Sequence, residues 1–179
     1  LDLEPEIQDK PGAKDLVITK GVLEFHNVSF GYEGEHTLDG VSFKVEPGHT
    51  VGMVGPPGSG KSTIAHLAPR FYDPIEGYIT IDGQDLRDVT IESLRHAVGV
   101  VEQDTFLFTA SVEHNVAYGD PWAPDDRVEL ASKYAHLGDY IERLPGGYDT
   151  MVGERGVSLS GGQRQRLSIA RSIMLKPKL

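Results

Sequence analysis

Gly55-Pro56-Pro57-Gly58-Ser59-Gly60-Lys61-Ser62-Thr63 is the stretch that decides the fold. Its spacing, G-x-x-x-x-G-K-[ST], is that of a phosphate-binding loop. Upstream, the apolar run Val51-Gly52-Met53-Val54 predicts a short buried strand. Downstream, Ile64, Leu67, Ala68 and Phe71 recur at i, i+3, i+4 and i+7, which predicts a helix. A glycine loop between strand and helix is the setting that gives the motif its meaning. A polyphosphate needs many N–H donors at close range. Gly55, Gly58 and Gly60 let the backbone turn sharply so that its amides converge, with Pro56, Pro57 and Ser59 completing the loop. Lys61 supplies a mobile positive charge for the β- and γ-phosphates. The Ser62 hydroxyl suits Mg²⁺, a hard cation that prefers oxygen, and Thr63 continues the helix start. The expected ligands are therefore a nucleoside triphosphate and Mg²⁺, held by residues 55–63.

Composition sets the frame. At 179 residues the length suits a single domain with a sizeable core, and 39% apolar with 25% charged residues is ordinary for a globular protein. No apolar run approaches the ~18 residues of a membrane-crossing helix. The acidic start Leu1-Asp2-Leu3-Glu4-Pro5-Glu6 lacks the apolar core of a signal peptide. A formal net charge of -10 argues against a general nucleic-acid partner, although Arg164, Arg166 and Arg171 make one local basic cluster. With no cysteine, disulfides and thiolate metal sites are excluded.

Residues 1–20 are polar, with Pro5, Pro11 and Gly12, and read as a linker. Leu23, Phe25, Val28 and Phe30 predict a strand with an irregularity near Asn27, and Val41, Phe43 and Val45 alternate as a half-buried strand does. Residues 78–82 and 98–101 predict two further strands, the second ending at Glu102-Gln103. Residues 90–96 predict a short helix with Thr90 as its N-cap. From Ala110 to Leu144 the pattern is helical and amphipathic, broken at Gly119-Asp120-Pro121-Trp122. One helix there carries Val128, Ala131, Tyr134 and Ala135 on a common face. A last helix starts near Ser160 and buries Leu167, Ala170, Ile173 and Met174.

Leu159-Ser160-Gly161-Gly162-Gln163 repeats the logic of the first loop. A serine hydroxyl and two bare glycine amides sit at a helix start, which favours an anion, yet this segment has no lysine of its own. It reads either as a site for a partner's nucleotide or as a capped helix with glycines for close packing. With the following Arg164-Gln165-Arg166, it resembles the signature motif of the ATP-binding-cassette (ABC) ATPases. The resemblance extends from about Gly21 to the end of the chain.

That resemblance implies an α/β fold: a P-loop NTPase (RecA-like) core, an antiparallel β subdomain and a helical signature subdomain at about 106–165, with residues 21–179 forming an incomplete cassette whose C-terminal part is missing. It implies ATP stacked on Tyr32, and Gln103 as a Mg²⁺ ligand that also positions the attacking water. Leu159, Ser160, Gly161, Gly162 and Gln163 would close over the ATP of a second cassette. The segment from Phe106 to Tyr118 resembles the surface that docks on a membrane domain's intracellular helices. Val152-Gly153-Glu154-Arg155-Gly156 resembles a loop of exporter-type cassettes, which points to an exporter at the cytoplasmic face of a plasma or inner membrane. The family's acidic Walker B strand, catalytic Glu and switch His all follow the signature, whereas the sequence ends at Lys176-Pro177-Lys178-Leu179. The isolated fragment is therefore expected to be unstable and to hydrolyse ATP poorly. Two other readings stay open: a soluble ABC ATPase of repair or translation, and a catalytically silent cassette. The transported substrate is not encoded in these residues.

Overall fold

The alternation in residues 22–45 resolves into a long antiparallel pair. The computed structural model describes residues 5–32, 35–153 and 156–179. Strand β1 (Leu23–Tyr32) pairs with β2 (Glu35–Val45) on one edge and β3 (Glu76–Ile81) on the other. β3 turns into β4 (Gln84–Asp85), so the sheet runs β2-β1-β3-β4, antiparallel throughout. The irregularity expected near Asn27 is present. The register against β2 shifts between Phe25 and Val28, and Asn27 takes φ 49°, a left-handed conformation that asparagine tolerates better than most residues. Phe25, Phe30, Leu38, Ile79 and Ile81 of the sheet pack with Leu67 of α1 (Lys61–Leu67) and Leu94 of α2 (Ile91–Ala97). Thr90 caps α2 as expected, its side chain accepting from the Ser93 N–H at 3.4 Å.

The segment read as a linker is hydrogen-bonded along much of its length. The Asp82 carboxylate accepts from the backbone N–H groups of Thr19, Lys20, Gly21 and Val22 at 2.7–3.1 Å. Gln84 pairs with both backbone groups of Val17. The Leu16 N–H donates to Ser93 Oγ, and the Ile91 N–H donates to Asp9. Burial alone would raise the Asp82 carboxyl, but the four amides outweigh it and hold the group well below the usual carboxylate range.

The chain divides into two compact units, residues 1–98 with 178–179, and residues 99–177. The second is mostly helical. It contains the short pair β5 (Ala110–Ser111) and β6 (Met151–Val152), with α3 (Val112–Val116), α4 (Asp125–Tyr134), α5 (Gly138–Ile141) and α6 (Gly161–Met174). Val112, Val116, Val128, Ala131, Ile141, Leu167, Ala170 and Met174 meet in its core. Asn115 at its centre is 0% exposed. Its side chain accepts from Phe108 N–H and donates to the carbonyls of Phe108 and Ser111.

Four expectations change. Residues 51–54 and 98–101 form no strand. A strand exists only through its ladder, and no described residue pairs with either run. Val54 is 99% exposed, and the Val100 carbonyl is taken by Ser172 Oγ instead. Helix α1 ends at Leu67 rather than running on to Phe71, because Pro69 has no N–H to continue it and Arg70 turns to φ 54°. Tyr134 faces solvent, since it lies about 120° round α4 from Val128 at 100° per residue; Ser132 takes the inner position.

Candidate functional site

The glycine loop has the conformation that its composition demands. Gly58 and Gly60 take φ of 81° and 82°, in the region that side-chain-bearing residues avoid. At Gly60 there is a second constraint: a Cβ would lie 2.5 Å from Leu38 Cδ2 and 3.1 Å from the Thr37 carbonyl. This is where the loop presses against β2. Gly60 is also the N-cap of α1, without any side-chain cap, so the first amides of the helix keep their donors for another acceptor. Lys61 folds back over the loop. Its Nζ donates to the carbonyls of Gly55 (2.9 Å) and Pro56 (2.8 Å) and to Ser59 Oγ (3.1 Å). The ammonium is thus held by two backbone carbonyls and one serine hydroxyl of the loop itself. Ser62 is exposed at the start of α1, whereas Thr63 is buried. Uncapped helix amides, one ammonium held over the loop and one exposed hydroxyl fit a triphosphate and a hard divalent cation.

Tyr32 stands at the end of β1, 37% exposed. It lines a cleft of about 580 Å³ with Glu6, Ile7, Phe30, Gly31, Tyr72 and Asp73. No sequence motif marks Tyr72. The available signal was Arg70-Phe71-Tyr72-Asp73-Pro74, an opposite-charge pair at i, i+3 enclosing two aromatics.

In the helical unit, Gln103 lines a cleft of about 720 Å³ with Asp104, Thr105, Phe106, Gly161, Arg164 and Gln165. The glutamine and the start of α6 therefore share one cavity. Ser160 caps α6 in a reciprocal capping box: Gln163 N–H donates to Ser160 Oγ (3.3 Å), and the Ser160 N–H donates to Gln163 Oε1 (2.7 Å). The serine hydroxyl proton remains available to an acceptor. Gly161 and Gly162 are exposed, but Leu159 is only 4% exposed and packs into the core. Its side chain is an anchor, and only its backbone is left to meet a ligand. Arg164 Nη1 donates to the Leu159 carbonyl at 2.7 Å.

Within the segment expected to dock on a membrane domain, Phe106 and Tyr118 are exposed. Phe108 stacks on Tyr118 at 4.3 Å, and the Arg171 guanidinium lies 5.4 and 5.5 Å from the two rings. Of the exporter-type loop, Val152 is buried in β6 and Gly153 takes φ 101°; Glu154 and Arg155 lie outside the described residues.

Residues 38–179 match the family model of the ABC transporter. The chain belongs to the ABC transporter family. It is 48% identical over 180 residues to the uncharacterized ABC transporter ATP-binding protein YwjA of Bacillus subtilis, covering 100% of this chain and 31% of that protein. It is 49% identical to the ATM1-type heavy metal exporter of Novosphingobium aromaticivorans, covering 100% of this chain and 30% of the relative. A solved structure of a bacterial Atm1-family ABC exporter with ATP bound superposes with a TM-score of 0.94 at 50% identity, covering 98% of this chain and 31% of that one. The fold is that of an ABC ATPase domain, and the chain spans about a third of the length of these relatives. Among the described residues, no helix is long and apolar enough to cross a membrane.

Proposed function

We propose that this chain is the ATP-binding motor unit of an exporter, working in pairs at the cytoplasmic face of a membrane. The observation that carries the reading is the glycine loop, with its φ-positive glycines and the Lys61 ammonium gathered over it. Lys61 and the first amides of α1 bind and orient the β- and γ-phosphates, and Tyr32 stacks on the base. Ser62 Oγ and the Gln103 amide oxygen would hold Mg²⁺, which supplies charge neutralisation on the phosphates when bound. Gln103 also orients the attacking water. Ser160, Gly161, Gly162 and Gln163 of a second such unit close over the γ-phosphate, so pairing depends on that phosphate and hydrolysis releases it. In this reading residues 1–20 link the unit to a transmembrane domain, residues 21–179 are cassette, and about 106–165 form the signature-bearing part. The 106–118 surface receives the transmembrane domain's helices.

The experiment is Lys61→Ala in the complete protein, measured as MgATP binding, ATP hydrolysis and transport in lipid. Loss of a charge-assisted contact worth about 1.5–3 kcal/mol weakens binding about 10- to 100-fold. Wild-type binding and turnover in this variant refute the reading.

A further inference from the structure

We infer that Tyr72 is a second aromatic wall of the nucleotide site, one that fixes the plane of Tyr32 and itself contacts the base. This rests on the assignment of Tyr32 to the base. Phe30, Tyr32 and Tyr72 form a closed triangle, with ring centroids 4.9, 5.3 and 5.4 Å apart. The Tyr32 ring stands at 88° to Phe30 and 89° to Tyr72, so both neighbours meet it edge to face, the arrangement that ring quadrupoles favour. An exposed tyrosine at a strand end would otherwise sample several staggered rotamers. Braced against two rings that also touch each other, it keeps one plane before any ligand arrives. Phe30 is buried beneath the pair, whereas Tyr72 is 36% exposed, as open as Tyr32, and lines the same cleft. Two tyrosines at right angles make a corner in which a flat base stacks on one ring and meets the other at its edge.

The position of Tyr72 is built rather than incidental. Arg70 clamps Asp73 in a bidentate pair, Nε to Oδ1 at 2.7 Å and Nη2 to Oδ2 at 3.0 Å, which closes the backbone around residues 71 and 72. The Phe71 N–H donates to the His66 carbonyl, and the Arg95 guanidinium covers the Phe71 ring at 5.2 Å. The Ile75 N–H donates to the Ser29 carbonyl at 2.9 Å, tying the loop to the strand that carries Phe30 and Tyr32. The two tyrosines are therefore registered to one another through β1.

The test separates base from phosphate. In the complete protein, calorimetry measures the affinities of MgATP and of Mg-tripolyphosphate for wild type, Tyr72→Ala, Tyr72→Phe, Tyr32→Ala and Lys61→Ala. Tyr72→Ala is expected to weaken MgATP about three- to tenfold, the size of one aromatic contact, and to leave tripolyphosphate unchanged. Tyr72→Phe, which keeps the ring, is expected to bind both as wild type does. The inference is overturned if Tyr72→Ala binds MgATP normally while Tyr32→Ala does not, or if Tyr72→Ala weakens both ligands equally, as a packing residue would. If Lys61→Ala binds both ligands as wild type does, the site assignment itself fails and the inference with it.

Discussion

Gly60 and Gly58 have nearly the same backbone conformation but different surroundings, so replacing each with alanine separates two energies. Both take φ just above 80°, and a side chain there costs about 1–2 kcal/mol. At Gly58 nothing lies within 4 Å of the new Cβ, so that is the whole cost. At Gly60 the Cβ would meet Leu38 Cδ2 at 2.5 Å and the Thr37 carbonyl at 3.1 Å. Leu38 is buried in the sheet core and Thr37 O is backbone, so neither yields freely, and overpacking adds about 1–3 kcal/mol. Gly60→Ala should therefore cost about 2–5 kcal/mol against about 1–2 for Gly58→Ala. At 2–4 °C per kcal/mol, the difference between the variants is roughly 2–12 °C in the unfolding midpoint. The assay is thermal unfolding of the complete protein without nucleotide, followed by a fluorescence probe on this unit. Equal midpoints for the two variants would refute the claim that the loop is braced against β2.

Three further outcomes are expected. Asp82→Asn should destabilise at neutral pH. The folded-state acidity of Asp82 lies below its ordinary 3.8, so its contribution is full above that value and fades as pH falls towards the lower folded value. The gap between wild type and variant in urea unfolding should shrink below about pH 4, and a gap that widens there contradicts the reading. Asn115→Ala should cost about 3 kcal/mol by orphaning the Phe108 and Ser111 groups, seen as a lower denaturation midpoint; a neutral effect would show that the network contributes nothing. Ser160→Asp keeps an N-cap oxygen but adds negative charge where a partner's γ-phosphate is proposed to sit. Stability should hold while ATP-induced pairing, read by light scattering, is lost; normal pairing argues against the phosphate role.

Local chemistry was legible in the sequence, and long-range pairing was not. Thr90 and Ser160 announce helix starts because an N-cap needs only its next three residues. Leu167, Ala170 and Met174 share a face by periodicity alone, and the apolar alternation of β1 broke where Asn27 bulges. The runs at 51–54 and 98–101 read as buried strands because they are apolar, but apolarity does not supply a ladder partner. The Asp82 fork was invisible for a related reason: its four amides lie about sixty residues upstream. Tyr72 likewise meets Tyr32 only once β1 and the 70–75 loop are side by side.

The contacts along residues 8–22 make the start of this domain a mechanical seam. Arg70 Nη2 meets the Gln8 carbonyl, Ile91 holds Asp9, Lys10 meets Asp88, and the series ends in the Asp82 fork. A displacement of the chain near Gln8 meets these contacts in sequence. It is handed at successive points to the loop that carries Tyr72, to α2 and to the β3–β4 turn, so traction there reaches the wall of the aromatic cleft before it reaches the sheet.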